Sequence, residues 1–238
     1  MELKGKTAVV TGATHGLGQS IVKAMVAEGM RVAMVARSRH ELFEQAEEYQ
    51  KGGADVLPVP CDISNAEDVM RALDPILAAF GKLDVLINNA GVPAPRSIEG
   101  TGFADWDYTL GVNLSGAFYM TRGLWEGLKA ANGSYVINIS SEAGIRGSSS
   151  PAYAASKFGL SGLTHAIAAS GQEHKIRTSI LYPGSIDTGW RGTSIGDHPL
   201  AEVMNPDDVA SYIIFLLKTP FEFVIPESVL TPFNHPWM

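Results

Sequence analysis

Thr7-Ala8-Val9-Val10-Thr11-Gly12-Ala13-Thr14-His15-Gly16-Leu17-Gly18 is the stretch that decides the fold. A β-branched run ends in a glycine-rich turn, and an apolar periodic segment from about Leu17 to Glu28 follows, which reads as strand, tight turn and helix. Glycines at such a turn let the backbone approach a pyrophosphate, and the helix N-terminus offers it free N–H groups and positive partial charge. Working outward, strand patterns at Arg31–Ala36, Asp55–Val59, Leu83–Asn88, Tyr135–Ser140 and Thr178–Leu181 alternate with helical ones. The helical patterns lie near His40–Gln50, Ala66–Phe80, Trp106–Lys129, Tyr153–Ser170 and Asp207–Lys218, and Phe221–Leu230 reads as a closing strand. Strands separated by helices predict an α/β chain with a mostly parallel sheet covered on both faces. Ser148-Ser149-Ser150-Pro151 and the stretch from Gly184 to Pro199 read as exposed loops.

The chain has 238 residues, 45% of them hydrophobic and 18% charged, enough to bury a full core in one domain and too ordinary for disorder or a coiled coil. No linker, repeat or low-complexity segment divides it, so residues 1–238 are expected to form a single doubly wound domain that includes the substrate pocket. A net charge of −7 without any dense Lys/Arg tract argues against nucleic acid as a partner. Tyr212–Leu217 is too short to span a bilayer, and Met1–Lys6 lacks the apolar core of a signal peptide, so the expected compartment is the cytoplasm and no membrane is expected. The lone Cys61 has no partner for a disulfide or a zinc site. His15, His40, His165, His174, His198 and His235 are scattered without ligand spacing, so no metal is expected.

Gly12-x-x-x-Gly16-x-Gly18 resembles the nucleotide fingerprint of the short-chain dehydrogenase/reductase family, and three further blocks match in order. They are Asn88-Asn89-Ala90-Gly91, Tyr153-Ala154-Ala155-Ser156-Lys157 and Pro183-Gly184-Ser185-Ile186-Asp187-Thr188, so the likeness covers residues from about 5 to 218. The resemblance implies a Rossmann-type seven-stranded sheet in the order 3-2-1-4-5-6-7 and an oxidoreductase with a nicotinamide cofactor. It implies cofactor contacts from Gly12, Thr14, His15, Gly16, Leu17 and Gly18 in the first turn. Asp62 and Ile63 would meet adenine; Asn89, Ala90 and Gly91 would follow the fourth strand, and Pro183, Gly184, Ile186 and Thr188 the sixth.

An acidic residue ending the second strand would bind the ribose hydroxyls of NAD and repel the extra phosphate of NADP. Here the strand ends Val35-Ala36-Arg37-Ser38-Arg39, without an acid. Arg37 offers a planar fork of donors to a 2′-phosphate, with Ser38, Arg39 and His15 able to add to it, so NADP(H) is favoured and NAD(H) is the alternative.

Tyr153 and Lys157 lie four apart on one predicted helix and so share a face. A phenol with a pKa near 10 is a poor acid–base catalyst at neutral pH, but a neighbouring ammonium favours its anion. Lys157 would also hold the nicotinamide ribose. The resemblance adds a serine at the end of the fifth strand; aligning Asn138-Ile139-Ser140-Ser141-Glu142-Ala143-Gly144 selects Ser141 over Ser140 as the donor to the substrate oxygen. It also adds Asn113, matching the asparagine that kinks a helix and whose backbone carbonyl holds a water leading from the lysine to solvent. The reaction implied is hydride transfer between nicotinamide and a carbonyl or secondary alcohol, with Tyr153 moving the proton. A dinucleotide-binding regulator without turnover is the alternative from another class.

Substrate choice is expected from Gly144–Ala152, Pro93–Phe103 and a loop at 188–205. Trp190, Ile145 and Tyr182 could form an apolar wall, while Arg191, Arg146 and Arg96 could meet an anion. The end of the chain departs from the glycine-rich close of ketoacyl reductases and looks more like the broad-specificity carbonyl and hydroxy-acid reductases of the family. An apolar tail at 231–238 is expected to pack on a neighbouring subunit, since family members are usually homodimers or homotetramers.

Overall fold

A computed structural model describes residues 2–189 and 202–234 of the chain. Seven strands form one sheet in the order β3-β2-β1-β4-β5-β6-β7, and the pairings are parallel. The strands are β1 (Thr7–Thr11), β2 (Arg31–Ala36), β3 (Val56–Pro60), β4 (Val85–Asn88), β5 (Tyr135–Ile139), β6 (Arg177–Pro183) and β7 (Glu227–Leu230). Between them run α1 (Gly16–Ala27), α2 (Arg39–Lys51), α3 (Ala66–Phe80), α4 (Phe103–Leu110), α5 (Gly116–Gly123), α6 (Trp125–Ala130), α7 (Pro151–Gly171) and α8 (Pro206–Lys218).

The period-2 alternation of each strand divides the core between the two faces. Ala8 and Val10 of β1, with Val32 and Met34 of β2, pack under α1, α2 and α8, whereas Val9, Ala33 and Val35 face α3, α5 and α6. Strands are added on one side of β1 up to β3 and on its other side from β4 onward, so the loops after the C-terminal ends of β1 and β4 open a crevice there. Both ends of β1 are anchored to the β4 segment, the outer one through Asp84 and the inner one through Asn89.

Several elements depart from the sequence reading. The helix expected over Trp106–Lys129 is three helices joined by a π turn at Gly111–Ser115 and a break at Leu124. Its start lies earlier because Asp105 Oδ2 accepts the Gly102 N–H, and Phe103 is 92% exposed, which hides it from an apolar pattern. Glycines beside these breaks allow close packing: a Cβ on Gly116 would stand 2.6 Å from Ile63 Cδ1, and one on Gly123 would stand 2.4 Å from Leu73 Cδ1. The closing strand is only Glu227–Leu230, because Pro220 and Pro226 lack the N–H that a ladder needs and Phe223 N–H turns back to the Pro220 carbonyl. Pro58 sits within β3, which is tolerated because β3 is an edge strand.

Of the four residues read as a loop at 148–151, Ser148 and Ser149 are exposed, but Ser150 is buried and Pro151 opens α7, where its fixed φ suits the first helical turn. Trp190, Arg191, His198 and His235, most of the loop at 188–205 and residues 235–238 of the tail lie outside the described residues. Among the described residues no helix is long and apolar enough to cross a membrane.

Candidate active site

The three glycines of the first turn are required for three different reasons. Gly12 has φ +66°, and a Cβ there would stand 2.9 Å from the Ala90 Cα. Gly16 has φ +50°, and its Cβ would meet the Thr188 Cβ at 2.7 Å. Gly18 has an ordinary φ, but its Cβ would fall 1.9 Å from the Gly12 carbonyl oxygen. The turn is stapled from both sides. Asn89 Nδ2 donates to the Thr11 carbonyl at 3.0 Å, the Asn89 and Ala90 N–H groups donate to Thr11 Oγ1, and Gln45 Nε2 donates to the Thr14 carbonyl at 2.8 Å. His15 stands at the N-cap of α1 without a side-chain hydrogen bond to the helix N–H groups, and no acidic residue stands in the first helical turn, so the helix presents its N–H groups and positive end to the crevice.

A cleft of about 1480 Å³ runs from this turn along the C-terminal edge of the sheet. Along the first turn it is lined by Gly12, Thr14, His15, Gly16, Leu17 and Gly18, and beyond β2 by Arg37 and Ser38. Asp62, Ile63, Asn89, Ala90 and Gly91 form its middle, while Pro183, Gly184, Ile186 and Thr188 border it with Ser141, Tyr153 and Lys157. Asn113 lies behind the wall. Asp62 Oδ1 accepts from the Ser64 N–H and hydroxyl, and Asn65 is the residue that caps α3, accepting from Glu67 and Asp68.

Some expectations are corrected here. Arg39 turns away from the cleft, its guanidinium stacked 5.0 Å over the Phe43 ring. Tyr182 is 1% exposed and belongs to a core cluster with Ile180 and Leu160, because β6 aims it into the sheet face rather than the pocket. Ile145 and Arg146 stand on the surface outside the cleft, whereas Arg96 does line it.

The catalytic candidates converge at the floor of the cleft. Lys157 is buried and donates from Nζ to the Ile139 carbonyl at 2.9 Å, with Nζ 5.7 Å from the Tyr153 ring centroid. Burial pulls its pKa down from the usual lysine range to about 8, still high enough to leave it charged at neutral pH. Asn113 sits in the π turn, where its amide bonds both ways with the Val92 backbone, at 2.7 and 3.1 Å, and donates to Ser156 Oγ at 3.1 Å. Ser156 Oγ in turn donates to the Tyr153 carbonyl at 2.8 Å, which ties the π turn to the helix carrying Tyr153 and Lys157.

The two adjacent serines have separate environments. Ser140 is buried and its Oγ donates to the Lys157 carbonyl at 3.2 Å, binding the end of β5 to α7. Ser141 is half-buried at the cleft, and its Oγ accepts the Ala143 N–H at 3.2 Å, which leaves its own proton available to a ligand.

Three neighbours of this site escaped the sequence reading. Glu41, in the first turn of α2, lines the cleft and places Oε2 3.5 Å from His15 Nε2. Tyr108 reaches from α4 to Arg37. Glu142, directly after Ser141, also lines the cleft. Glu41 and Glu142 carried a signal of position, one in the turn after Arg37 and one beside the serine; Tyr108 carried none.

The elongated cleft, the glycines that a Cβ would close, the open helix N-terminus and a basic group at each end fit a dinucleotide with its pyrophosphate at the first turn. Among the described residues no group of three or more His, Cys, Asp or Glu side chains stands where it could hold a metal. A sequence model described as short chain dehydrogenase matches residues 6–197. D-threitol dehydrogenase of Mycolicibacterium smegmatis is 32% identical over 225 residues, 90% of this chain and 86% of that one. The alcohol dehydrogenase of the archaeon Thermococcus sibiricus, solved with 5-hydroxy-NADP, superposes with a TM-score of 0.91 at 27% identity, covering 99% of this chain and 100% of that one. The 3-ketoacyl-(acyl-carrier-protein) reductase of Brucella melitensis, solved with NADH, gives 0.87 at 29% identity over 98% of each chain. With that match spanning most of the chain and the sheet order, the chain belongs to the short-chain dehydrogenase/reductase family of oxidoreductases.

Proposed function

We propose that the protein interconverts a carbonyl compound and its alcohol with NADP(H), Tyr153 serving as acid and base. The observation that carries this reading is the buried Lys157 ammonium 5.7 Å from the Tyr153 ring. A cation that close favours phenolate over phenol, so Tyr153 can give a proton to a substrate oxygen, or take one from it, near neutral pH. The bound nicotinamide supplies or accepts the hydride at the substrate carbon. Ser141 donates its free hydroxyl proton to the same oxygen as negative charge develops there. Lys157 holds the nicotinamide ribose, and Asn113 orders a water at its backbone carbonyl that passes protons from Lys157 to solvent. In this reading the cofactor contacts are those that the family resemblance implies, with cofactor and substrate bound in one domain.

Arg37 and Ser38 at the far end of the cleft, and a β2 that ends without a carboxylate, favour NADP over NAD. One solved relative carries an NADP derivative and another NADH. Glu41 favours a second reading, an NAD-dependent alcohol dehydrogenase, because a carboxylate at this end accepts from ribose hydroxyls and repels a phosphate. One relative is named for D-threitol and another for 3-ketoacyl-(acyl-carrier-protein), so the substrate is set by this chain's own pocket.

Titration with NADPH and with NADH, followed by nicotinamide fluorescence, tests the cofactor. Tighter NADPH binding is expected, and tighter NADH binding transfers the assignment to the NAD-dependent reading. Tyr153→Phe is expected to lower kcat by roughly 100- to 10,000-fold while leaving cofactor affinity nearly unchanged. Full turnover in that variant would overturn the mechanism.

A further inference from the structure

α2 buries Leu42 and Ala46, and in part Tyr49, in one core cluster, and Gln45 stands on that same face, where the helical pattern would place an apolar side chain. Its Nε2 donates to the Thr14 carbonyl at 2.8 Å. Only the NH2 end of an amide can meet a carbonyl, so Oε1 is the end left over, and it is buried without a donor among the described residues. A buried acceptor with no donor weakens the fold, so packing alone does not account for a glutamine here. One turn earlier on the same face, the Glu41 carboxylate meets His15. Glu41 lines the cleft, whereas Gln45 stands behind the turn and outside the lining.

Peptide geometry gives the Gln45 hydrogen bond a direction. A trans peptide sets its N–H opposite its C=O. Drawing the Thr14 carbonyl toward α2 therefore turns the His15 N–H away from α2, and among the described residues no group accepts that N–H. At the other end of the turn Asn89 Nδ2 holds the Thr11 and Gly12 carbonyls, at 3.0 and 3.3 Å. Two side-chain amides thus hold the carbonyls of the turn back, which leaves its outward N–H groups for an anion.

We propose that Gln45 is a positioning residue for the cofactor: by holding the Thr14 carbonyl toward α2 it aims the His15 N–H at the phosphates that NADP(H) and NAD(H) share, and so sets affinity for both without choosing between them. This rests on the nicotinamide-dependent reading above. The choice between the two cofactors stays with Arg37 and Glu41, which stand at the far end of the cleft.

The test uses the full-length protein, with NADPH and NADH followed by nicotinamide fluorescence and ADP followed by calorimetry. Gln45→Met keeps the length of the side chain and removes both polar ends. It is expected to raise the Kd of all three ligands by about 10-fold, the worth of one hydrogen bond that orders a binding loop. The KM for the cofactor is expected to rise by the same factor with kcat within about twofold of wild type. Tm is expected to stay within about 3 °C, because the hydrogen bond and the unpartnered acceptor are lost together. Gln45→Glu supplies a pH readout with ADP. An ionised carboxyl has no proton for the Thr14 carbonyl, so at pH 8 this variant is expected to bind ADP more weakly than Gln45→Met. Toward pH 5 its carboxyl takes up a proton and becomes a donor, and its affinity is expected to overtake that of Gln45→Met.

Unchanged affinities in Gln45→Met, with wild-type binding of a nicotinamide cofactor intact, overturn the proposal alone. A loss confined to NADPH also overturns it, since the effect would then lie at the 2′-phosphate. Failure of Gln45→Met to fold, or a fall in kcat as large as the fall in affinity, would make Gln45 a support of the fold and overturn the positioning role. Affinity of Gln45→Glu that stays below that of Gln45→Met at every pH does the same. Absence of NADPH and NADH binding in the wild type overturns the nicotinamide-dependent reading as well.

Discussion

The hydroxyl of Tyr108, on α4, accepts a hydrogen bond from Arg37 Nη1 at the end of β2, and the guanidinium sits 5.8 Å from the centroid of the same ring. Arg37 is thus held from one side with four of its five donors left for a ligand. Arg37→Ala is expected to weaken NADPH binding by about 10- to 100-fold, the worth of a charge-assisted hydrogen bond, and to leave NADH nearly unchanged. Tyr108→Phe keeps the ring under the guanidinium and removes only the acceptor, so its expected loss is smaller, about two- to fivefold, and again confined to NADPH. Equal losses for both cofactors in Arg37→Ala would show that the arginine supports the fold of the cleft rather than recognising a phosphate.

Glu41 stands at the same end of the cleft as that arginine, its carboxylate 3.5 Å from His15. If a 2′-phosphate enters between Arg37 and His15, the carboxylate opposes it. Glu41→Gln is expected to tighten NADPH binding severalfold, about 3- to 10-fold at low ionic strength, with the gain shrinking as salt rises because the group is partly exposed. Loss of NADH affinity without any gain for NADPH would instead mark Glu41 as a partner of ribose hydroxyls. The two outcomes separate the NADP and NAD readings with one substitution.

The strands and glycine turn could be read in advance because they depend on local pattern. The run Arg31–Ala36 and the helix Ala66–Phe80 have the bounds that the pattern assigns, since a short β-branched apolar run and an Asn65 cap are written into consecutive residues. The division of Trp106–Lys129 is not written in its apolar pattern, and the contacts of Gly116 with Ile63 and of Gly123 with Leu73 join residues distant in the chain. The same reason hid Tyr108, which acquires its connection to Arg37 only when α4 packs beside the end of β2. Family likeness alone selects Ser141 over Ser140; the structure adds that the Ser140 Oγ donates to the Lys157 carbonyl while the Ser141 Oγ accepts the Ala143 N–H.

Lys157 is expected to give the site its alkaline limit. Burial lowers its pKa to about 8, so the charge that faces Tyr153 is present at pH 7 and fades as pH rises through that value. Cofactor affinity measured in the absence of substrate is expected to weaken severalfold between about pH 7 and 9. Lys157→Arg, whose guanidinium stays charged throughout, is expected to flatten that profile even where its longer side chain lowers kcat. A wild-type affinity that does not vary over the range would show that the lysine charge has no part in holding the cofactor.

At the opposite edge of the sheet, Asp84 offers a test of fold stability that is separate from catalysis. Its side chain is 3% exposed; it accepts from Lys6 Nζ at 2.9 Å and from the Thr7 N–H at 3.0 Å, pinning the start of β1 to the entrance of β4. Burial by itself raises the Asp84 pKa, but the Thr7 N–H and the Lys6 ammonium outweigh it and hold the carboxyl below its ordinary value. Because the folded pKa is the lower one, the unfolded chain binds more protons between the two values. The stabilisation is therefore fully present above the unfolded aspartate pKa of about 3.9 and is lost as pH falls through the folded one. Asp84→Asn is expected to cost about 2 kcal/mol at neutral pH, a fall of roughly 4–8 °C in Tm for a chain of this size. The gap between the two proteins is expected to stay constant from neutral pH down to about pH 5 and then to narrow on further acidification, as wild-type Asp84 takes up the proton that removes its charge. A gap of constant size down to pH 3 would show that the loss in Asp84→Asn comes from altered packing and not from the ionised carboxylate.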